Sequence, residues 1–196
     1  MSKIFCIVGK SCSGKDTLYK AILEKCGPNL IPIIPYTTRP KRNDELEGVN
    51  YCFVTDQQLQ AYESAGQIVE KRQYHTMQGL WSYFTLKFAV KEDEDYIIIT
   101  TLAGARAMIE HYGPQMVHIV YLYIEDRARL LRCIERETRQ SSPDYSEVCR
   151  RFIADQKDFA AEQLSRFKNV HQIDTSASIE NCMEAWEKIY EECRKD

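Results

Sequence analysis

The sequence predicts an α/β protein built on a parallel sheet, and three observations carry that expectation. Short runs rich in β-branched residues alternate with longer helical stretches along the chain. Residues 96–101 and 117–124 read as buried strands, as expected of a sheet covered on both faces. Hydrophobic residues make up 44% of the 196 and charged residues 28%, enough apolar material for one core with a small insertion.

The elements follow in order. Residues 4–8 form an apolar, β-branched run ending at Gly9, and 15–26 read as a helix stopped by Gly27-Pro28. Residues 31–34 give a second strand despite Pro32, and 35–48 are polar and basic with turn residues. A short strand at 51–54 precedes a helix at 56–65, with Thr55 or Asp56 as cap and Gly66 as stop. Residues 74–84 are irregular and dense in aromatics. The acidic run 91–95 reads as a solvated turn. A helix at 103–112 closes on Gly113-Pro114, and charged helices at 126–139 and 146–167 flank Ser141-Ser-Pro-Asp144. A short strand at 170–173 and a helix at 178–193 complete the chain.

Composition excludes several classes. A net charge of −3 gives no global basic footprint for nucleic acid, and no apolar run is long enough to cross a bilayer. No signal-peptide pattern follows the first residues. The eight cysteines include no Cys-x-x-Cys pair and read as reduced structural thiols, and the four histidines lack metal-ligand spacing. The expected compartment is the cytoplasm.

Gly9-Lys10-Ser11-Cys12-Ser13-Gly14-Lys15-Asp16-Thr17 sits between a strand and a helix. That is the context of a P-loop, whose backbone amides and lysine cradle phosphates at a helix N-terminus. Gly9, Ser11, Cys12, Ser13, Gly14, Lys15, Asp16 and Thr17 are therefore the expected ATP phosphate-binding residues. Asp16 stands where Ser or Thr ordinarily holds Mg²⁺. A carboxylate beside a triphosphate needs a cation between them, so Asp16 is the expected metal contact and Thr17 the fallback. A plain helix cap is the alternative for Asp16.

A second basic segment, Tyr36-Thr-Thr-Arg-Pro-Lys-Arg, continues to Tyr51-Cys-Phe53 and sets Arg39, Lys41 and Arg42 within four residues. Guanidiniums there suit a dianionic phosphate, and Tyr51 adds a hydroxyl. Composition alone leaves a solvated basic turn equally open. With the P-loop at its matching distance, the segment resembles the guanylate kinase signature, and the resemblance continues weakly to the C-terminus. It implies a P-loop nucleoside monophosphate (NMP) kinase fold, with a five-stranded parallel core sheet, helices on both faces, a small NMP-binding subdomain and a helical lid. The expected boundaries are core 1–35, 89–126 and 156–196, NMP-binding subdomain about 36–88, and lid about 127–155. By the same resemblance Arg39, Arg42 and Tyr51 grip the acceptor phosphate beside Glu45, and Glu70 reads the base. Tyr83 and Thr85 match loosely as further acceptor contacts. Arg132, Arg136 and Arg151 match the lid arginines and, with Lys15, are the expected catalytic residues. Arg139 and Arg150 are further candidates without a clear counterpart.

Three departures bear on the acceptor. Pro35 replaces a base-contacting serine, Thr101 replaces a base-reading carboxylate, and an expanded 74–85 stretch replaces a Tyr-Tyr-Gly-Ser/Thr motif. Trp81 and Tyr83 are open to stacking on a base or to packing. The expected activity is ATP-dependent phosphoryl transfer to GMP or a related monophosphate, with ATP and Mg²⁺ as cofactors. Nucleotide substrates are the expected partners, without nucleic acid or membrane, and the chain is expected as a monomer or weak homodimer. The alternatives are a kinase of another small phosphorylated acceptor and a non-catalytic binding module; retained Lys15, Arg136 and Arg151 speak against the module.

Overall fold

A computed structural model describes residues 1–42, 45–76 and 79–195. Asn43 and Asp44 of the basic segment and Met77 and Gln78 of the aromatic stretch lie outside the described residues.

In chain order the elements are β1 (Ile4–Gly9), α1 (Lys15–Cys26), β2 (Leu30–Pro32), β3 (Tyr36–Thr37), β4 (Cys52–Phe53), α2 (Asp56–Ser64), β5 (Ile68–Thr76), β6 (Gly79–Leu86) and β7 (Asp95–Ile99). They continue with α3 (Leu102–Tyr112), β8 (Val117–Tyr123), α4 (Asp126–Thr138), α5 (Tyr145–Asp158), α6 (Ala161–Leu164), β9 (Val170–Asp174) and α7 (Ile179–Lys195). The core sheet has five strands in the order β2-β7-β1-β8-β9, all parallel. Parallel neighbours cannot be joined by tight turns, so helical crossovers cover the faces. Every residue of β1 is buried, and its side chains alternate between two apolar layers. Phe5 and Ile7 meet α1 and α7 through Leu18, Ile22, Trp186 and Ile189. Ile4, Cys6 and Val8 meet α3 through Leu102, Ala105 and Met108. Among the described residues no helix is long and apolar enough to cross a membrane.

A second sheet, β4-β3-β6-β5, is inserted between β2 and β7. Here the structure corrects the reading of 74–84 as irregular. β5 and β6 pair antiparallel, with Tyr74 opposite Trp81, Arg72 opposite Tyr83 and Glu70 opposite Thr85. The aromatics lie on both faces of this sheet: Tyr36 stacks on Phe84 at 5.3 Å on one, and on the other Tyr83 meets both Tyr51 and Tyr74 edge-on at 5.7 Å. Thr55 caps α2 in a reciprocal capping box with Gln58.

Two further expectations are corrected. The single helix at 146–167 is α5 and α6, because the chain leaves the helical path at Phe159, which is partly buried and stacks on Tyr121 at 5.6 Å. The acidic run is not wholly solvated either. Asp95 is buried, accepting from the Lys3 amide and the Tyr190 hydroxyl, each at 2.8 Å.

Candidate active site

The glycine loop leaves β1 under tight packing. A Cβ on Gly9 would lie 2.6 Å from Ser13 Oγ and 2.9 Å from the Leu122 carbonyl oxygen, so only glycine lets the loop fold back on β8. Cys12 and Gly14 both adopt left-handed backbone, at φ 61° and 85°, the alternation that turns successive amides inward as an anion nest. Lys15 Nζ donates to the Gly9 and Lys10 carbonyls at 2.8 and 2.9 Å, holding the ammonium across the loop. Burial lowers its pKa, opposed by the nearby Asp16 and Asp155 carboxylates.

Asp16 and Thr17 are exposed on the first turn of α1, and with Lys15, Arg132, Arg136 and Thr175 they line a cavity of about 500 Å³. Gly14 occupies the N-cap position of α1 and no side chain caps it, so Asp16 is not spent as a cap. An exposed carboxylate and a hydroxyl at the mouth of the loop form a hard oxygen set of the kind Mg²⁺ takes.

A support layer that sequence reading missed lies behind the loop. Asp155 Oδ2 accepts from the Ser11 amide at 2.7 Å and from Arg129 Nη1 at 3.0 Å. Arg129 is fully buried, also pairs with Asp126 at 3.0 Å, and stands 4.1 Å over the Phe152 ring. Thr175 donates to the Ser13 carbonyl at 2.9 Å, and Arg132 donates to the Thr175 carbonyl at 3.0 Å. The only signal for Arg129 was an arginine on the otherwise unremarked inner side of a charged helix.

The predicted lid arginines separate. Arg132 and Arg136 line the loop cavity, and Arg136 acts electrostatically on Lys15. Arg151, on α5, does not line that cavity; it is half exposed and pairs with Glu147 at 2.6 Å. Arg150 shares the same carboxylate, and Arg139 pairs with Glu135 at 2.5 Å on the surface.

On the inserted sheet Arg39 is buried and held by Glu45, Tyr83 and the Pro40 carbonyl. Nη1 and Nη2 bind Glu45 at 2.8 and 2.7 Å, and Nε donates to the Tyr83 hydroxyl at 3.1 Å. Its guanidinium lies over the Tyr51 and Phe53 rings at 5.4 and 5.6 Å. Glu45 thus positions Arg39 and is itself held well below the usual carboxylate range by it. Tyr83 packs between Tyr51 and Tyr74. Arg42 is exposed, and with Arg39, Lys41 and Trp81 it lines a second hollow of about 370 Å³.

Glu70 is buried and accepts from Thr85 Oγ1 at 3.1 Å and from Arg72 Nε at 3.0 Å, so Arg72 joins the site without having been predicted. A Cβ on Gly104 would come 3.6 Å from the Glu70 carboxyl carbon and 2.1 Å from Thr100 Oγ1. Glu70 therefore lies at the N-terminus of α3, where the two sheets meet. Thr101, expected as an acceptor contact, instead caps α3 by accepting from the Gly104 amide at 3.1 Å; the hydroxyl on the Glu70 side is that of Thr100. The loop and the inserted sheet also sense each other, since burial and Tyr83 raise the Tyr51 pKa and the Asp16 carboxylate adds to the rise.

An amide-and-lysine cradle on one sheet, whose Asp16 is within electrostatic reach of the Tyr51 that packs against a buried arginine on another, belongs to the P-loop phosphotransferases. The five-stranded parallel core with its inserted sheet narrows the class to nucleoside monophosphate kinases. A family model described as "Guanylate kinase" matches residues 1–162, and the chain belongs to that family. It is similar to the guanylate kinase of Bifidobacterium longum, 27% identical over 170 residues covering 85% of this chain and 76% of the relative. The guanylate kinase of Symbiobacterium thermophilum is 29% identical over 164 residues, covering 81% and 72%. The crystal structure of guanylate kinase from Anaplasma phagocytophilum shares the fold, with TM-score 0.65 at 16% identity over 97% of this chain and 85% of that one.

Proposed function

We propose that this chain transfers the γ-phosphoryl group of ATP to GMP. The observation that carries the reading is the buried Glu70 carboxylate at the junction of the two sheets. An ionised carboxylate only accepts hydrogen bonds, and the guanine edge offers adjacent N–H donors where adenine offers none in that pattern.

The roles follow from position. The loop amides and Lys15 hold the donor phosphates, and Arg39, Arg42 and Tyr51 hold the acceptor phosphate. Asp16 and Thr17 would hold Mg²⁺, which would supply positive charge to offset the negative charge of the donor phosphates. Arg132 and Arg136 face the transferring group from the cavity wall, and Arg151 joins them when the α4–α5 pair closes. No general base is required, because the acceptor phosphate is anionic near neutral pH. Closure excludes the water that would otherwise take the phosphoryl group. The working form is a cytoplasmic monomer or weak homodimer that binds nucleotides and neither nucleic acid nor membrane.

The ion pair between Arg72 and Glu70 favours a second reading, a monophosphate of another base. Arg72 neutralises the carboxylate that guanine needs, and Pro35 and Thr101 supply no replacement. A coupled assay of ATP consumption over GMP, dGMP, AMP, CMP and UMP decides. Turnover with GMP at least about 10⁴-fold above AMP in kcat/KM is expected of a site built to pair with a polar base. Comparable turnover of several bases selects the second reading. Failure of every monophosphate removes both.

A further inference from the structure

Three groups that no phosphoryl-transfer role uses converge at the edge of the core sheet opposite the glycine loop. His118 is the second residue of β8 and His171 the second residue of β9. Parallel register sets Val120 opposite His171, and the two-residue period of a strand then puts both imidazoles on the face covered by α7. Cys182, Met183, Trp186, Ile189 and Cys193 are the buried positions of α7 at helical spacing, so the helix delivers the Cys193 thiol to the same place. His118 Nδ1 and His171 Nε2 are 3.3 Å apart. Cys193 Sγ lies 3.3 Å from the first and 3.5 Å from the second.

We propose that His118, His171 and Cys193 form a zinc site that fastens α7 to strands β8 and β9. The three separations are within about 0.3 Å of those of a tetrahedral face. With Zn–N of about 2.0–2.1 Å and Zn–S of about 2.3 Å, nitrogens at the tetrahedral angle stand about 3.3–3.4 Å apart and nitrogen and sulfur about 3.5–3.6 Å. The ligand atoms need move by only tenths of an ångström to accept the ion. Two imidazoles and a thiolate are a borderline-soft set, which selects Zn²⁺ over the Mg²⁺ of a nucleotide site. His118 and Cys193 are buried and His171 is half-buried, so the ion enters from the His171 side and solvent completes the fourth position. On binding, the Cys193 thiol releases its proton to solvent. Each imidazole donates the lone pair of the named nitrogen and keeps its proton on the other. His118 is stacked on Phe5 at 5.7 Å, and Phe5 meets Trp186 of α7 edge-on at 5.1 Å, so the ligand is oriented by the same packing that seats the helix.

The sequence hid this site because the ligands are 53 and 22 residues apart and no short motif joins them. Its role is structural. It stands at the N-terminal ends of the core strands, whereas the glycine loop follows the C-terminal end of β1.

The test uses the full-length chain, reduced, stripped of metal with a chelator and then titrated with Co²⁺ and Zn²⁺. The expected result is one ion per chain, with a thiolate-to-cobalt charge-transfer band and the strong visible bands of a tetrahedral ion. Zinc at 100 times its Kd should raise Tm by roughly 5–10 °C. Cys193→Ser should abolish the charge-transfer band, and His171→Asn should weaken binding by at least roughly 10- to 100-fold. Both variants should keep kcat within about twofold of the parent. His171→Asn keeps the proposal testable if Cys193→Ser does not fold. A cobalt spectrum without thiolate character, less than one ion for every five chains, or unchanged binding in His171→Asn would overturn the proposal. So would a thiolate band that survives Cys193→Ser and disappears in Cys12→Ser, because the ion would then sit at the glycine loop.

Discussion

Lys15 is half-buried and pinned to two loop carbonyls, and the burial that lowers its pKa is a cost that an arriving anion offsets. Lys15→Ala should therefore lower kcat/KM for ATP by roughly 10³-fold, with little change in the unfolding midpoint, checked by steady-state kinetics and denaturant melts. Asp16 makes the sharper test. If it holds the metal, Asp16→Asn should raise the Mg²⁺ concentration for half-maximal rate by roughly tenfold or more, and Asp16→Ser should recover part of the loss. An unchanged Mg²⁺ titration in both variants removes the role. Arg39 and Glu45 carry the pH argument. Glu45 has its pKa depressed in the fold, first by hydrogen bonds from Arg39. Its contribution is therefore fully present above the ordinary carboxylate range and is lost as pH falls through the depressed value. Glu45→Gln should cost about 3 kcal/mol at pH 7, since it leaves a buried guanidinium without its counter-ion. That difference from the parent should vanish in urea melts taken below the folded-state value.

At the scale of elements, legibility followed the range of the forces. α1, α3 and β8 were readable because local signals coincide with the tertiary outcome: a glycine stop after each helix and a buried apolar run in the strand. β5 and β6 were not, because aromatic, polar and charged residues are mixed on both of their faces, with no apolar–polar alternation to read, and pairing across the sheet decides their strand state. The break at Phe159 was invisible for the same reason, since its stacking partner is Tyr121, on another element. The α4–α5 pair supplies a prediction of its own. Arg151 is held by an exposed i,i+4 bond to Glu147, whose carboxyl its two arginines depress to about 2. Exposed helix pairs of this kind are worth only about 0.3–0.5 kcal/mol. That is too little to keep Arg151 from a transferring phosphoryl group. Glu147→Gln should thus change kcat by less than about threefold, whereas Arg151→Ala should lower it by roughly 10³-fold. Equal, small effects in both would return Arg151 to the surface.

Across the whole molecule the glycine loop was legible as a contiguous string, while its support was scattered. Asp126, Arg129, Asp155 and Thr175 come from three regions of the chain and converge only once the core closes. The same holds for Arg72 on Glu70, and for Thr101, whose hydroxyl was claimed by a helix end that the strand boundary placed one residue away from expectation. The two sheets also differ in how they are held. The core strands β1, β7 and β8 lie between apolar layers on both faces, whereas β3 and β4 are two residues each and are held by the ring contacts of Tyr36 and Phe53 and by Arg39. Local opening free energies should differ accordingly. Native-state hydrogen exchange should find the β1 and β8 amides exchanging only through global unfolding. The amides of residues 36–37 and 52–53 should exchange at least roughly 10²-fold faster, through an opening that leaves the core sheet intact. A nucleoside monophosphate bound at Arg39 would add its binding energy to that opening alone, so saturating GMP should slow exchange in the inserted sheet and leave β1 and β8 at their global limit. Uniform protection across both sheets, with or without GMP, would mean that the inserted sheet unfolds with the core and that closure over the acceptor is not an independent motion.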